Sequence, residues 1–148
     1  MTWPNIVARA RRTGAWVVFE DEAAAMLCPP IRGTWAPCGV VPILRYSGAR
    51  GRKTSMAAFV CYHRRRLPRL FYALIPDGSF TEDEFGPLLE QLHAALPACR
   101  VILVWDRLSG HVRSLETRAF LAANASWLSV EPLPGYAPEL DPVEQVWA

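Results

Sequence analysis

The chain has 148 residues, of which 51% are hydrophobic and 20% are charged. This length and balance suit one globular domain with a core of its own and exclude a disordered chain. No apolar run approaches the roughly 20 residues that a membrane-spanning helix needs, and the N-terminus lacks the apolar segment of a signal peptide. We therefore expect a soluble, cytoplasmic protein.

The net charge of +2 hides an asymmetry between the two halves of the chain. Residues 1–69 contain twelve Arg or Lys and three acids, whereas residues 70–148 contain four Arg and eleven acids. A basic first half is typical of a surface that meets an anion. Charge alone slightly favours the other interpretation, which is ordinary solvated faces.

The cysteines lie far apart, and none belongs to a C-x-x-C pair. Zinc sites usually take two ligands from one short segment. Buried, reduced thiols are therefore the favoured interpretation. The cysteines are Cys28, Cys38, Cys61 and Cys99.

The first predicted elements are a short basic helix and a buried strand. Residues 2–12 contain three arginines and predict the helix. The compact apolar run 16–19, rich in valine and aromatic residues, predicts a buried strand that ends at Asp21. The Pro- and Gly-rich residues 28–39 predict an ordered loop, in which Trp35 is expected to anchor a small cluster.

Two further strands and a helix come next. Residues 54–62 and 69–75 are apolar and flank a polar turn at residues 63–68, so they predict an antiparallel hairpin. Thr81 and Glu84 form the pattern of a capping box, which predicts the start of a helix with one apolar stripe toward the core.

The second half of the chain alternates strands and helices. Residues 101–105 form a continuous apolar run and predict a second buried strand, which again ends in an acid, Asp106. Residues 113–124 predict a helix, residues 127–130 a short strand and residues 142–148 the start of a last helix. The order of elements predicts an α/β fold in which one mixed sheet carries helices on its faces.

Acids at the ends of the two buried strands are the first candidates for a functional site. In open α/β sheets, ligands bind at the carboxyl ends of the strands, where Asp21 and Asp106 would lie if their strands are parallel neighbours. Glu144 adds a third acid at the start of the last helix. A single such Asp is more often a turn or cap residue. Three carboxylates from separate elements, however, can hold the two hard cations that phosphoryl transfer uses.

Four stretches of the sequence resemble, in order, the catalytic domain of bacterial insertion-sequence transposases of the mariner superfamily, the DDE type. They are FEDEA (19–23), RGTWAPCG (32–39), VILVWDRLSGH (101–111) and LPGYAPELDPVEQVW (133–147). The last block is the most specific. The 37 residues between Asp106 and Glu144 also fall within the family's range. The resemblance implies a ribonuclease-H-like α/β fold, with an antiparallel three-strand start, then parallel strands, and helices on both faces.

The resemblance also implies a set of catalytic residues and a reaction. Asp21, Asp106 and Glu144 resemble the three catalytic acids, which bind two Mg²⁺ ions, with Mn²⁺ able to substitute. Asp21 would bridge both ions, and each of the other acids would complete one site. The implied reaction is hydrolysis of DNA phosphodiesters at the element's ends, followed by attack of the freed 3′-hydroxyl on target DNA.

Basic residues supply the candidate contacts to DNA, because phosphates provide most non-specific DNA affinity. The expected contacts are Arg50, Arg52, Lys53 and, beyond the second acid, His111. A lone His is more often a polar residue at a helix start. The run 64–66 is explained almost as well by a solvated turn as by phosphate binding. The expected partner is DNA, at the transposon ends and the target, and no membrane; a homodimer and a separate N-terminal helix-turn-helix half stay open.

By the same resemblance, residues 1–13 are a basic N-terminal segment and residues 14–148 the DDE catalytic domain, with its last helix truncated. The leading hypothesis is a Mg²⁺-dependent transposase. A catalytically inactive fragment that binds DNA or pairs with a full-length transposase is the second, and metal binding separates the two. A third hypothesis, a ribonuclease-H-like nuclease acting on RNA–DNA hybrids or junctions, is disfavoured by the last motif block.

Overall fold

The computed structural model describes residues 3–26, 34–43, 52–96, 100–105, 114–134 and 138–147. Its elements, in chain order, are α1 (Trp3–Thr13), β1 (Trp16–Met26), β2 (Lys53–His63), β3 (Arg66–Pro76), α2 (Glu82–Ala95), β4 (Val101–Trp105), α3 (Leu115–Ala123) and β5 (Leu128–Pro132). Two short 3₁₀ helices follow, Pro138–Leu140 and Pro142–Val146, and the second is called the C-terminal 3₁₀ helix below. Among the described helices, none has the length and apolar character that crossing a bilayer requires.

The strands form one five-stranded mixed sheet in the order β3-β2-β1-β4-β5. The pairs β1–β2 and β2–β3 are antiparallel, whereas β1–β4 and β4–β5 are parallel. The mixed α/β sheet predicted from the sequence, with its antiparallel start and later parallel strands, is confirmed. The continuous apolar run of β4 reflects its central place, because it is covered on both faces.

Helices cover both faces of the sheet, as predicted. The side chains of β1 alternate between the two faces. Trp16 and Val18 pack into a core that α2 and α3 cover. Val17 and Phe19 pack into a second core, to which α1 contributes Ile6 and the C-terminal 3₁₀ helix contributes a buried valine.

The end of α1 is fixed by a glycine in the left-handed region. Gly14 has φ +65°, a conformation that L side chains adopt only at a cost. The N–H of Ala15 donates to the carbonyl oxygen of Ala10 at 3.1 Å, the six-to-one bond of a Schellman cap. The basic helix predicted over 2–12 is thus confirmed, and Gly14 turns the chain from it directly into β1.

Helix α2 confirms the predicted capping box and apolar stripe. The backbone N–H of Thr81 donates to Glu84 Oε2 at 2.5 Å, which satisfies a donor that the helix start would leave unpaired. The stripe packs against the sheet through four buried side chains, Phe85, Leu89, Leu92 and Leu96.

Two strand boundaries differ from the predictions. Strand β1 does not end at Asp21 but continues to Met26, because β2 goes on pairing with it beyond the apolar run. The predicted turn 63–68 shrinks to Arg64 and Arg65, because Leu67 and Pro68 join β3. In both places cross-strand pairing extends a strand through residues that are too polar or too constrained to be read as strand locally.

Two predictions about side-chain burial are wrong in the described part of the chain. Trp35 is fully exposed, because the described residues 34–43 form neither helix nor strand and are exposed throughout. Cys38 is exposed as well, whereas Cys61 is buried, as expected for a reduced thiol. Burial raises the pKa of the Cys61 thiol to about 12, against a lowering influence of Arg69. The other two cysteines lie outside the described residues.

Candidate functional site

Asp21 lies where β1 passes beyond its described pairing with β4. The parallel pairing runs from Trp16, opposite Val101, to Glu20, opposite Trp105. The antiparallel pairing with β2 continues through Asp21, which lies opposite Ala58. Asp21 therefore lies near the carboxyl ends of the parallel strands, where ligand crevices of α/β sheets form. Asp106 is bonded to Trp105 and lies outside the described residues.

The strand alternation places Asp21 on the same face as the C-terminal 3₁₀ helix. Val17 and Phe19 share the core of that face with Val143, and Asp21 follows them with the same period of two. Its side chain is half-buried. A half-buried carboxylate at a sheet edge needs a donor, a cation or water to compensate its charge.

The segment that carries Glu144 is held by a cap and a buried anchor. Asp141 is buried and its Oδ1 accepts a hydrogen bond of 2.8 Å from the N–H of Val143. Pro142 occupies an early helical position, where its missing N–H costs nothing. Val143 is fully buried against the sheet, and Glu144, next in the chain, is exposed.

The predicted last helix over 142–148 is a 3₁₀ helix over Pro142–Val146 rather than the start of an α-helix. Its backbone bonds join residues three apart: the N–H of Glu144 donates to Asp141 and the N–H of Trp147 donates to Glu144, both at 3.3 Å. Short 3₁₀ turns of this kind need tertiary packing, which Val143 supplies here.

A hydrogen bond joins this segment to Asp21. The indole Nε1–H of Trp147 donates to Asp21 Oδ2 at 2.9 Å, across 126 positions of sequence. Trp147 is partly buried and packs against the core of the same face. The bond holds one oxygen of Asp21 in place, and it brings the segment that carries Glu144 to the strand that carries Asp21.

The donor set is chemically suited to a hard cation. A carboxylate has about four lone-pair directions, so the indole bond leaves Asp21 able to accept further partners. Oxygen ligands are the ones that Mg²⁺ and Mn²⁺ prefer. Within the described residues, which exclude Asp106, no three acidic, His or Cys side chains come together as a metal site. The hydrogen bond from Trp147 brings the segment of Glu144 to Asp21. Asp106 lies outside the described residues.

Glu20, beside Asp21 in sequence, is a buried carboxyl on the opposite face. It is 1% exposed and lies between Phe59 and Trp105 on the neighbouring strands. Its Oε1 has no hydrogen-bond partner among the described residues. Burial raises the pKa of Glu20 well above its ordinary value, and the nearby charges of Glu22, Asp21 and Asp141 raise it further, against a hydrogen bond to Trp105 that lowers it.

Two of the four expected DNA contacts lie within the described residues. Arg52 is exposed and its Nη2 forms an ion pair with Asp77 Oδ2 at 3.2 Å. Lys53 begins β2 opposite Met26, and its Nζ donates to the hydroxyl of Ser79. Both lie at the Met26 end of β1, five residues beyond Asp21. Arg50 and His111 are outside the described residues.

Sequence reasoning missed the contributions of Trp147 and Glu20. In the sequence, Trp147 is only the last residue of a family motif, and no local pattern predicts a hydrogen-bond partner 126 positions away. The alternation of side chains along β1 could have predicted the burial of Glu20. In a strand whose alternate residues Trp16 and Val18 are core, the next residue of the same parity also faces the core.

A family model described as DDE superfamily endonuclease matches residues 16–148. No curated protein sequence matches the chain. Among solved structures, the chain is similar to the Mos1 transposase paired-end complex with left transposon end, with a TM-score of 0.61 and 22% identity. That match covers 96% of this chain and 43% of the Mos1 chain.

Two further Mos1 structures match over a similar span. The Mos1 mariner paired end complex with Mn gives a TM-score of 0.60 at 22% identity, covering 94% of this chain and 42% of that one. The Mos1 strand transfer complex gives 0.58 at 21%, covering 94% and 41%. The chain thus spans less than half the length of these proteins. At these identities the likeness concerns the fold, and it confirms the ribonuclease-H-like sheet expected from the sequence.

Replacing Trp147 by Phe tests the bond to Asp21. The variant keeps the apolar ring but removes the N–H, and we expect a loss of about 1–2 kcal/mol in the free energy of unfolding, measured by urea denaturation in EDTA. Trp35→Phe makes the same change at an exposed site and should cost less than about 0.5 kcal/mol. A double-mutant cycle with Asp21→Ala should give a coupling energy of similar size. Independent, additive effects of the two substitutions would contradict the bond.

Replacing Glu20 by Gln tests the buried carboxyl. Because the pKa of Glu20 is raised on folding, its proton is retained in the folded chain at pH values where the unfolded chain has lost it. Its contribution to stability is therefore present below the unfolded value of about 4.5 and is lost as pH rises through the folded pKa.

The stability of Glu20→Gln relative to the unsubstituted chain should consequently rise as pH is increased from about 4 to 8. Chemical denaturation at several pH values measures this difference. Glu90→Gln, which removes an exposed carboxyl group of α2, serves as the charge-matched control. A pH-independent difference for Glu20→Gln would show that its carboxyl is not desolvated.

Proposed function

Because the chain belongs to the DDE superfamily endonucleases, we propose that it is the catalytic domain of a cut-and-paste DNA transposase of the mariner superfamily, carried by a bacterial insertion element. Its reaction is hydrolysis of DNA phosphodiesters at the ends of the element and transfer of the freed 3′ ends to target DNA. The catalytic acids are Asp21, Asp106 and Glu144.

The observation that carries this proposal is the hydrogen bond from Trp147 to Asp21 at 2.9 Å. It ties the segment of the third acid to the strand of the first, although 126 positions separate the bonded residues. The strand register supports the same grouping for the second acid. Glu20 and Trp105, the residues that immediately precede Asp21 and Asp106, are partners on parallel neighbours.

Two divalent cations, Mg²⁺ or Mn²⁺, are the proposed cofactors, held by Asp21, Asp106 and Glu144. When bound, such cations lower the pKa of water and stabilise charge that develops on phosphate oxygens. The carboxylates supply the oxygen donors that these ions require. No side chain then has to act as nucleophile or general base, and no covalent protein intermediate is required.

The chain's own contribution is to hold the acids in place before DNA arrives. Trp147 fixes the orientation of the Asp21 carboxylate through its indole N–H. Asp141 and Val143 fix the turn that presents Glu144. Preorganisation of this kind matters because displacement of a ligand by as little as about 1 Å can cost roughly a hundredfold in rate.

DNA is the proposed substrate and partner. The similar Mos1 structures include complexes with a transposon end and a strand transfer complex. In this chain, the residues proposed to contact the phosphate backbone of DNA are Arg50, Arg52, Lys53 and His111. The exposed ion pair of Arg52 with Asp77 is no obstacle, because such surface pairs are worth about 0–1 kcal/mol and are readily exchanged for phosphate.

Conservative replacement of each acid tests the proposal. Asp21→Asn, Asp106→Asn and Glu144→Gln remove a charged ligand with little change of shape, and each should lower Mn²⁺-dependent DNA cleavage by at least roughly a hundredfold. Glu139→Gln is the matched control, because Glu139 is an exposed acid in the same C-terminal segment. Circular dichroism checks that all variants fold. Undiminished cleavage by the Asp21 or Asp106 variant would overturn the assignment.

The same experiment addresses the alternative, an inactive chain that binds DNA or pairs with a full-length transposase. A folded, unsubstituted chain that binds DNA, fails to bind Mn²⁺ in calorimetry and cleaves nothing would favour that alternative. Saturable Mn²⁺ binding that Asp106→Asn abolishes would favour the enzyme.

A further inference from the structure

A basic hollow lies at the amino end of β1, whereas Asp21 lies at the midpoint of the strand. It has a volume of about 570 Å³ and its polar lining consists of Arg11, Thr13, His63, Arg64, Arg65 and Arg66. This set is called the basic hollow below. Val17, whose partner Tyr62 directly precedes His63, is four residues from Asp21, or about 13 Å along the strand. None of the described residues that line the hollow is a proposed catalytic acid.

Two tight chain reversals create the hollow. Gly14 ends α1 so that the last turn of the helix, with Arg11, stands beside the start of β1. The two-residue turn Arg64–Arg65 closes the hairpin of β2 and β3 on the next strand. The backbone N–H of Arg65 donates to Nδ1 of His63 at 3.1 Å, which orders the tip of this turn.

The positive charge of the hollow is not neutralised within the described part of the chain. Arg11, Arg64, Arg65 and Arg66 are all exposed. The ion pairs found among the described residues involve other arginines, Arg9 with Glu131 and Arg52 with Asp77. None of the described residues that line the hollow is acidic. Four guanidinium groups around one concavity repel one another, and a multivalent anion relieves that repulsion.

An aromatic cleft adjoins the hollow. Its volume is about 560 Å³, and it shares Arg11, His63 and Arg64 with the hollow. Its lining includes Trp3, Phe19 and Tyr62, whose rings form a row with centroids 5.8 and 6.1 Å apart. Trp3 is 54% exposed and Tyr62 is 41% exposed, so part of each ring is accessible to a ligand.

Cations beside accessible aromatic rings are the combination that binds single-stranded nucleic acid. Guanidinium groups pair with successive phosphates, and aromatic rings stack on the bases, which a duplex keeps hidden. We propose that the basic hollow and the aromatic cleft together form a binding site for single-stranded DNA. Its aromatic end, at Phe19 and Pro142, adjoins the segments that carry Asp21 and Glu144. The hollow holds the phosphates and the cleft holds one or two unpaired bases. This site does not depend on the metal-binding acids.

Binding of a labelled single strand tests the proposal. The probe is a fluorescent oligothymidylate of about twelve nucleotides, and its anisotropy is followed as the full chain is added in EDTA, so that metal binding and cleavage play no part. Arg64→Gln with Arg65→Gln removes two charges from the hollow. Arg100→Gln with Arg118→Gln removes two charges from other exposed positions and is the matched control.

We expect the hollow variant to bind at least about tenfold more weakly and the control less than about threefold more weakly. The dependence of log affinity on log salt, between about 50 and 200 mM, should fall by about 1.4 for the hollow variant, or roughly 0.7 for each lost phosphate contact. Trp3→Ala should weaken binding of the single strand by at least about fivefold and leave binding of a duplex of the same length unchanged.

Equal losses for the two charge-matched variants would overturn the site, because the affinity would then follow net charge alone. Equal effects of Trp3→Ala on single strand and duplex would overturn the role of the aromatic cleft. Because binding is measured in EDTA and without cleavage, a failure of the catalytic proposal and a failure of this one are separable.

Discussion

The hydrogen bond between Trp147 and Asp21 is the constraint on which the site depends. Without it, the C-terminal 3₁₀ helix would be held by Val143 and by local backbone bonds of 3.3 Å, and helices this short are marginal alone. The half-buried carboxylate of Asp21 would also lack the indole N–H, which offsets part of its charge when no cation is bound. One indole thus meets two needs, because it orders a weak segment and compensates part of a charge.

The sheet explains why these groups meet where they do. Strand β1 is central for its first five residues and then goes on with β2 alone as its described partner. The first part must be apolar on both faces, and the second can carry acids. Asp21 is the first residue past the described pairing with β4, where a carboxylate can reach solvent while its backbone stays paired. Glu20, one residue earlier, lies within the apolar part and has a raised pKa in consequence.

Charge is distributed along the same strand. Asp21 lies at the midpoint of β1, and the arginines of the basic hollow lie toward its amino end, beside the aromatic cleft.

Much of this arrangement could be predicted from the sequence, since it rests on local signals. The apolar runs before Asp21 and Asp106 marked the two buried strands, and the capping box at Thr81 marked the start of α2. The continuation of β1 past Asp21 could not be predicted, because it depends on pairing with residues 27 to 35 positions away. The role of Trp147 was equally hidden, since only the folded sheet brings an indole from the end of the chain to a strand near its beginning. The prediction for Trp35 is wrong for a different reason. An aromatic side chain anchors a cluster only where other residues of the fold pack around it.

The most direct test of the proposed metal site uses the indole of Trp147 as its reporter. In a proton–nitrogen correlation spectrum of the chain, the six tryptophans give six indole signals, and Trp147→Phe identifies one of them. Traces of Mn²⁺, which is paramagnetic, broaden signals from nearby protons. If a cation binds at Asp21, the Trp147 signal broadens first, the signal of Trp127 at the far end of the sheet stays sharp, and Asp21→Asn abolishes the difference. A Trp147 signal that stays as sharp as that of Trp127 would contradict a cation at Asp21.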